Sequence, residues 1–275
     1  MRRAEARPTL DLSPLTIRKT MRYPTYFMAF VLLAIAGALQ AQPVDTDIVV
    51  RAKARDGKFI GSSVGGALIR IKDADSGRVL AEGVTEGGTG NTDLIMKTPR
   101  TRYGSITENA ASFKATLAIE KPTFLTIEVL APYIKKQARI LSQTQTWLVP
   151  GKPIAGDGLT VEVPGMIVDI LSPGTHLYTP LKQAPYKITA NVVMMCGCIV
   201  TPGGLWDGNA MEVAAIVDKD GRHYKTIPLL MQTAMNTFRA QLTPDSPGNY
   251  HITVYAYDPK TGNTGVDQTS FVVTD

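Results

Sequence analysis

Short runs in which apolar and polar residues alternate, each closed by a turn dipeptide, recur along most of this chain, and no stretch carries a long helical period. Alternation puts successive side chains on opposite faces of an extended backbone. Each run can therefore bury one face only, and it needs a second sheet to cover that face. Residues 47–54 form such a run and end at Asp56-Gly57. Residues 67–72 end at Asp75-Ser76-Gly77, and 78–85 return as their hairpin partner. Residues 113–120 and 123–130 read as a second pair around Lys121-Pro122, followed by 144–149 and 159–163. Beyond Val163-Pro164-Gly165 come 166–171, 186–195, 212–218, 223–227, 238–242, 250–258 and 268–273. The expected fold class is all-β, with two tandem β-sandwich domains over 45–163 and 166–275.

Ahead of these runs, residues 27–39 are an uncharged apolar stretch with Arg18, Lys19 and Arg22 before it and Ala36-Gly37-Ala38 and Ala41 at its end. A basic flank, a short apolar run and small residues predict a cleaved signal peptide within a leader over 1–41. The segment from Met21 is complete as a signal peptide, so Met21 is the expected true start. The leader has no cysteine for lipid attachment. A periplasmic or secreted location follows, with membrane contact only through the leader before cleavage.

The formal net charge of +5 belongs mostly to that leader, which holds six basic and two acidic side chains and leaves 23 basic and 22 acidic over 42–275. The basic balance is therefore no argument for nucleic acid, and none is expected as a partner. Lys135-Lys136-Gln137-Ala138-Arg139 is the one later basic cluster and reads as a solvated face. Gly87-Gly88-Thr89-Gly90-Asn91 lacks the lysine and the following helix of a phosphate loop and reads as a strongly turned loop.

Residues 66–90, GALIRIKDADSGRVLAEGVTEGGTG, resemble a strand–turn–strand of transthyretin-like or carboxypeptidase-regulatory modules. Residues 247–273, PGNYHITVYAYDPKTGNTGVDQTSFVV, resemble the last two strands of bacterial immunoglobulin-like or fibronectin-type modules. That second resemblance implies a tyrosine corner at Tyr250, with its hydroxyl bonded to the preceding backbone. Alternation then places Ile252, Val254 and Ala256 on one face and His251, Thr253 and Tyr255 on the other. No cysteine lies on this strand to bridge the sheets.

Both cysteines lie in VVMMCGCIVTPGGLW, residues 192–206. On a straight strand Ala190, Val192, Met194, Cys196 and Cys198 would share a face, with the cysteine Cα atoms about 6.5–7 Å apart. That exceeds comfortable disulfide range, so chemistry by the pair requires Gly197 to leave the extended conformation. Three readings stand: inert buried thiols, a local Cys196–Cys198 disulfide formed on export, or a Cu(I) site of Cys196 and Cys198 with Met194 or Met195. Met211, Met231 and Met235 are further sulfur donors, the last two at the spacing of one helical turn, and His176 and His223 are further candidates. Pro202, Gly203, Gly204, Trp206 and Asp207 form a rigid turn and an aromatic, the candidate interaction loop. Trp206 reads first as a core residue near a middle strand and second as a cover for the cysteines.

No nucleophile elbow, HExxH or Walker loop occurs. The function expected is an exported non-enzymatic binding or assembly protein that acts through sandwich loops and edges, with a protein partner in the cell envelope. The rivals are a copper-handling or thiol-redox protein and an accessory subunit of a periplasmic enzyme.

Overall fold

The structure, a computed structural model, describes residues 42–275. The signal peptide and the start at Met21 lie outside the described residues. Residues 43–275 form one compact unit, and strands dominate it.

Eight strands precede Pro164: β1 (Val44–Ala54), β2 (Leu68–Asp73), β3 (Val79–Val84), β4 (Glu86–Thr89), β5 (Ala110–Ile119), β6 (Thr123–Ala131), β7 (Ile140–Leu148) and β8 (Ile154–Val163). They make two sheets, ordered β4-β5-β1-β8 and β3-β2-β6-β7. Ile48, Val50 and Ala52 of β1 and Leu125, Ile127 and Val129 of β6 are all buried, as period-two alternation requires of two facing sheets. The expected hairpin of 113–120 with 123–130 does not form. β5 pairs with β1 and β4, while β6 pairs with β2 and β7. Lys121-Pro122 carries the chain from one sheet to the other. An arch of this kind and a hairpin leave the same alternation in sequence, because both bury one face of each strand.

The Gly87–Asn91 segment is likewise more than a turn, since Glu86–Thr89 is the edge strand β4 with a bulge between Gly88 and Thr89. Its backbone runs so close to Gly61 that a Cβ on Gly61 would lie 2.6 Å from the Gly87 carbonyl oxygen.

Nine strands follow: β9 (Met166–Ser172), β10 (Leu177–Pro180), β11 (Tyr186–Met194), β12 (Glu212–Lys219), β13 (Arg222–Pro228), β14 (Leu230–Met231), β15 (Thr237–Leu242), β16 (Gly248–Tyr257) and β17 (Thr264–Thr274). Their sheets run β14-β15-β11-β9 and β10-β17-β16-β12-β13. In chain order these are the A-B-E-D and C-F-G sheets of an immunoglobulin-like sandwich, with β13 as C′ and β10 parallel to the last strand. β10 and β14 escape the alternation because they span four and two residues.

Ile252, Val254 and Ala256 are fully buried, and Tyr250 is buried beside them. The Tyr250 hydroxyl donates to the Ser246 carbonyl at 2.8 Å, which is the corner hydrogen bond. Burial first, and then the Tyr224 phenol, push the Tyr250 hydroxyl up to about 12, so it stays a donor at every physiological pH. Tyr250→Phe keeps the ring stacked on Phe271 and removes only this bond. Urea titration should show a loss of about 1 kcal/mol with an unchanged slope.

Candidate functional site

The chain leaves β11 at Met194 in a tight turn closed by the Gly197 N–H on the Met194 carbonyl at 2.7 Å. Gly197 has φ +74°, the left-handed region that suits glycine. This bend brings the Cα atoms of Cys196 and Cys198 to 5.3 Å and their sulfurs to 2.15 Å, a disulfide between residues two apart. The straight-strand face therefore ends at Met194. Both cysteines are buried.

The methionines are spread over several elements of the second sandwich. Met194 is buried at the end of β11, and the Met195 methyl lies over Gly165, as does Ile140 Cδ1. Met231 lies in β14 against Gly208 and Met235 in the turn after it, so the two share no helical turn. Met211 precedes β12. His176 sits in the turn before β10, and His223 on β13 faces Asp218 at 3.8 Å. Bonded to each other, the two sulfurs present no thiolate, so a Cu(I) site here first requires reduction of the pair. Among the described residues, no group of three or more His, Cys, Asp or Glu side chains is placed to hold a metal ion.

The disulfide turn lies where the two sandwiches meet. The Lys58 backbone N–H points at Cys196 Sγ from 3.5 Å. Trp206, 8% exposed, donates its indole N–H to the Asp56 carbonyl at 2.7 Å. It is thus a core residue, as expected, but one that enters the core from a loop at the junction. Asn263 is fully buried, and its amide donates to the Arg55 carbonyl at 3.1 Å while its carbonyl oxygen accepts from the Gly165 N–H at 2.8 Å. On a second flank, Lys135 Nζ and Gln137 Nε2 reach Asp169 at 2.9 and 2.6 Å. The basic run is therefore in part a docking contact rather than a solvated face alone. One continuous apolar core, including Val64, Ala138, Met166, Met195 and Cys196, runs through the junction.

The interaction loop is held by its own hydrogen bonds. Asp207 Oδ1 accepts from the Gly203 N–H at 2.7 Å and the Asn209 N–H at 3.0 Å, and the Thr201 N–H donates to the Trp206 carbonyl at 3.1 Å. At its base, the Asn236 side chain accepts from the Val200 N–H at 2.7 Å. The loop thereby holds Ile199 and Leu205 half exposed at the mouth of a cleft of about 470 Å³. The disulfide, Leu205 and Trp206 form an apolar side, and Lys58, Lys97 and Thr92 from the other sandwich form a polar one. Sequence reasoning selected the cysteines and Trp206. It missed Lys58, Asn236 and Asn263, whose signals were an Asp-Gly neighbour and two turn asparagines that resemble many others.

Asn263→Ala leaves the buried Gly165 N–H and the part-buried Arg55 carbonyl without these partners. Equilibrium unfolding should show a loss of about 2–3 kcal/mol. The pH response of Trp206, read by fluorescence in a Trp147→Phe background, should have two signs. The Gly203 N–H, then that of Asn209, hold Asp207 below the usual carboxylate range, so its support for the loop is full above that range and is lost as pH falls through the lowered value. Burial, then the nearby Asp258, raise Asp56, so its ionisation opposes the junction as pH rises through a value above the usual range. Asp207→Asn should remove the acid limb alone.

No family model matches the chain, and no curated protein matches it. Among solved structures it is similar to an engineered protein at 19% identity and a TM-score of 0.31, over 46% of this chain and 24% of that one. It is also similar to the FN1–FN3 domains of chicken CNTN1, at 10% identity and a TM-score of 0.24, over 85% and 64%. A chimeric titin Z1Z2 carrying an exogenous decorin peptide aligns at 7% identity and a TM-score of 0.22, over 86% and 98%. The chain spans less than two thirds of the length of the first two, and the immunoglobulin-like architecture is read from strand order rather than from these likenesses.

Proposed function

We propose that this chain is an exported, non-enzymatic binding or assembly protein that meets a protein partner of the cell envelope through the junction cleft and the loop beside it. The observation that carries this reading is the loop itself. Asp207, Thr201 and Asn236 fix its backbone, yet it presents Ile199 and Leu205 to solvent, each 48% exposed. A frame held by hydrogen bonds, with apolar side chains exposed next to a partly apolar cleft, loses little conformational entropy when something docks there. Immunoglobulin-like sandwiches offer end loops and strand edges as contact surfaces, whereas the fold alone specifies no activity. The disulfide supports export, because such bonds persist in oxidising compartments. The transthyretin-like resemblance of the first sandwich fits a second scaffold module of the same kind.

A photo-crosslinking residue placed at Leu205 in the native host should yield one discrete protein adduct. The same residue at Tyr178, which is exposed on β10, should not. Equal adducts at both positions, or none at Leu205, would reject the reading.

A further inference from the structure

We propose that the Cys196–Cys198 disulfide is a thiol-exchange site, at which the thiolate of a second molecule attacks Cys198 and Cys196 leaves as a thiolate received by the Lys58 backbone N–H. This does not rest on the protein-partner reading, since low-mass thiols report it whether or not such a partner exists.

A crosslink between residues two apart closes almost no chain, so it removes little entropy from the unfolded state and serves poorly as a staple. It is largely buried, yet both cysteines line the junction cleft. Its two sulfurs have different surroundings. Cys198 keeps a small exposure of 6% while Cys196 has none, so Cys198 is the nearer of the two residues to an incoming group. Cys196 has the donor. The Lys58 N–H is aimed at its sulfur by a turn in which the Ala54 N–H donates to the Lys58 carbonyl at 2.9 Å and the Gly57 N–H to the Ala54 carbonyl at 3.1 Å.

A neutral sulfur is a weak acceptor, whereas a thiolate turns the same contact into a charge-assisted bond. The donor thus favours the state in which Cys196 has left. The Lys58 and Lys97 ammonium groups line the same cleft and attract the incoming thiolate. Lys97 is paired with Asp93 at 2.7 Å, while Lys58 Nζ donates to the neutral Thr92 hydroxyl at 3.0 Å. Gly57 permits the approach, because a Cβ there would lie 2.8 Å from the Ala54 Cβ and 3.2 Å from Cys196 Sγ.

The incoming thiolate forms a bond to Cys198 Sγ, and the electron pair of the Cys196–Cys198 bond departs on Cys196 Sγ. A second thiolate then attacks the sulfur of the first molecule, which releases Cys198 as a thiolate. Two external thiols become one disulfide, and the protein pair gains two electrons. The source of the thiol is either a low-mass compound or a protein dithiol.

The test incubates the full chain at neutral pH with glutathione or, separately, with reduced thioredoxin, then quenches by alkylation and maps peptides by mass. Native protein should be reduced at least as fast by glutathione as the same chain in urea, or faster still by thioredoxin. The faster reagent identifies the source. The glutathione adduct should sit on Cys198. Native reduction more than tenfold slower than in urea with no faster reaction from thioredoxin, or an adduct on Cys196, overturns the proposal. Gly57→Ala should shift the equilibrium with glutathione about tenfold toward the disulfide by moving the Lys58 N–H off Cys196. An unchanged equilibrium overturns the role of that donor. Lys58→Gln with Lys97→Gln, checked by circular dichroism for an unchanged fold, should slow the glutathione reaction several-fold at low salt, and an unchanged rate overturns the role of the cleft charges.

Discussion

The carbonyls of Arg55 and Asp56 sit at the tip of a turn beyond the end of β1, and side chains of the other sandwich, Asn263 and Trp206, supply their hydrogen bonds. A polar group left without a partner inside the closed junction is costly, so these bonds have to form wherever the two sandwiches pack together. The rest of the arrangement depends on that satisfaction. It lets Met195 and Ile140 pack over Gly165, and it aligns the disulfide turn with Lys58. Two sandwiches joined by two residues could behave as beads on a short string. Here a shared apolar core and reciprocal hydrogen bonds make them one body.

What was legible in sequence follows from periodicity. Period two names the buried face of a strand without its neighbours, and so Ile252, Val254 and Ala256 were readable. Tyr250 was readable because its resemblance includes the corner it bonds. Pairing was not: Lys121-Pro122 sits between two alternating runs whether the chain folds back within one sheet or crosses to the other, and it crosses. The cysteine turn was readable only conditionally. Straight geometry kept the sulfurs apart, and the requirement that Gly197 bend is met by its positive φ. Trp206, Lys135 and Asn263 face a surface that exists only after both sandwiches have formed. No local pattern could separate their roles from those of a middle-strand aromatic, a solvated lysine and an ordinary turn residue.

The Asp258–Asn263 turn shows how one motif carries two tasks. Asp258 organises it locally, accepting from the Lys260 N–H at 3.0 Å and the Thr261 hydroxyl at 2.7 Å. This is the chemistry that makes the turn recognisable as a join between two strands. The same geometry presents Asn263 outward from its own sandwich and into the junction, where it binds the linker at Gly165 and the turn at Arg55 together.

Because the cleft draws one wall from each sandwich, it has no existence apart from their union. Any molecule that fills it favours the joined form over the parted one by mass action, in proportion to the logarithm of its concentration relative to its dissociation constant. Occupancy and cohesion are then a single equilibrium viewed from two ends. A tenant strengthens the walls that house it, and a pull that parts the walls evicts the tenant.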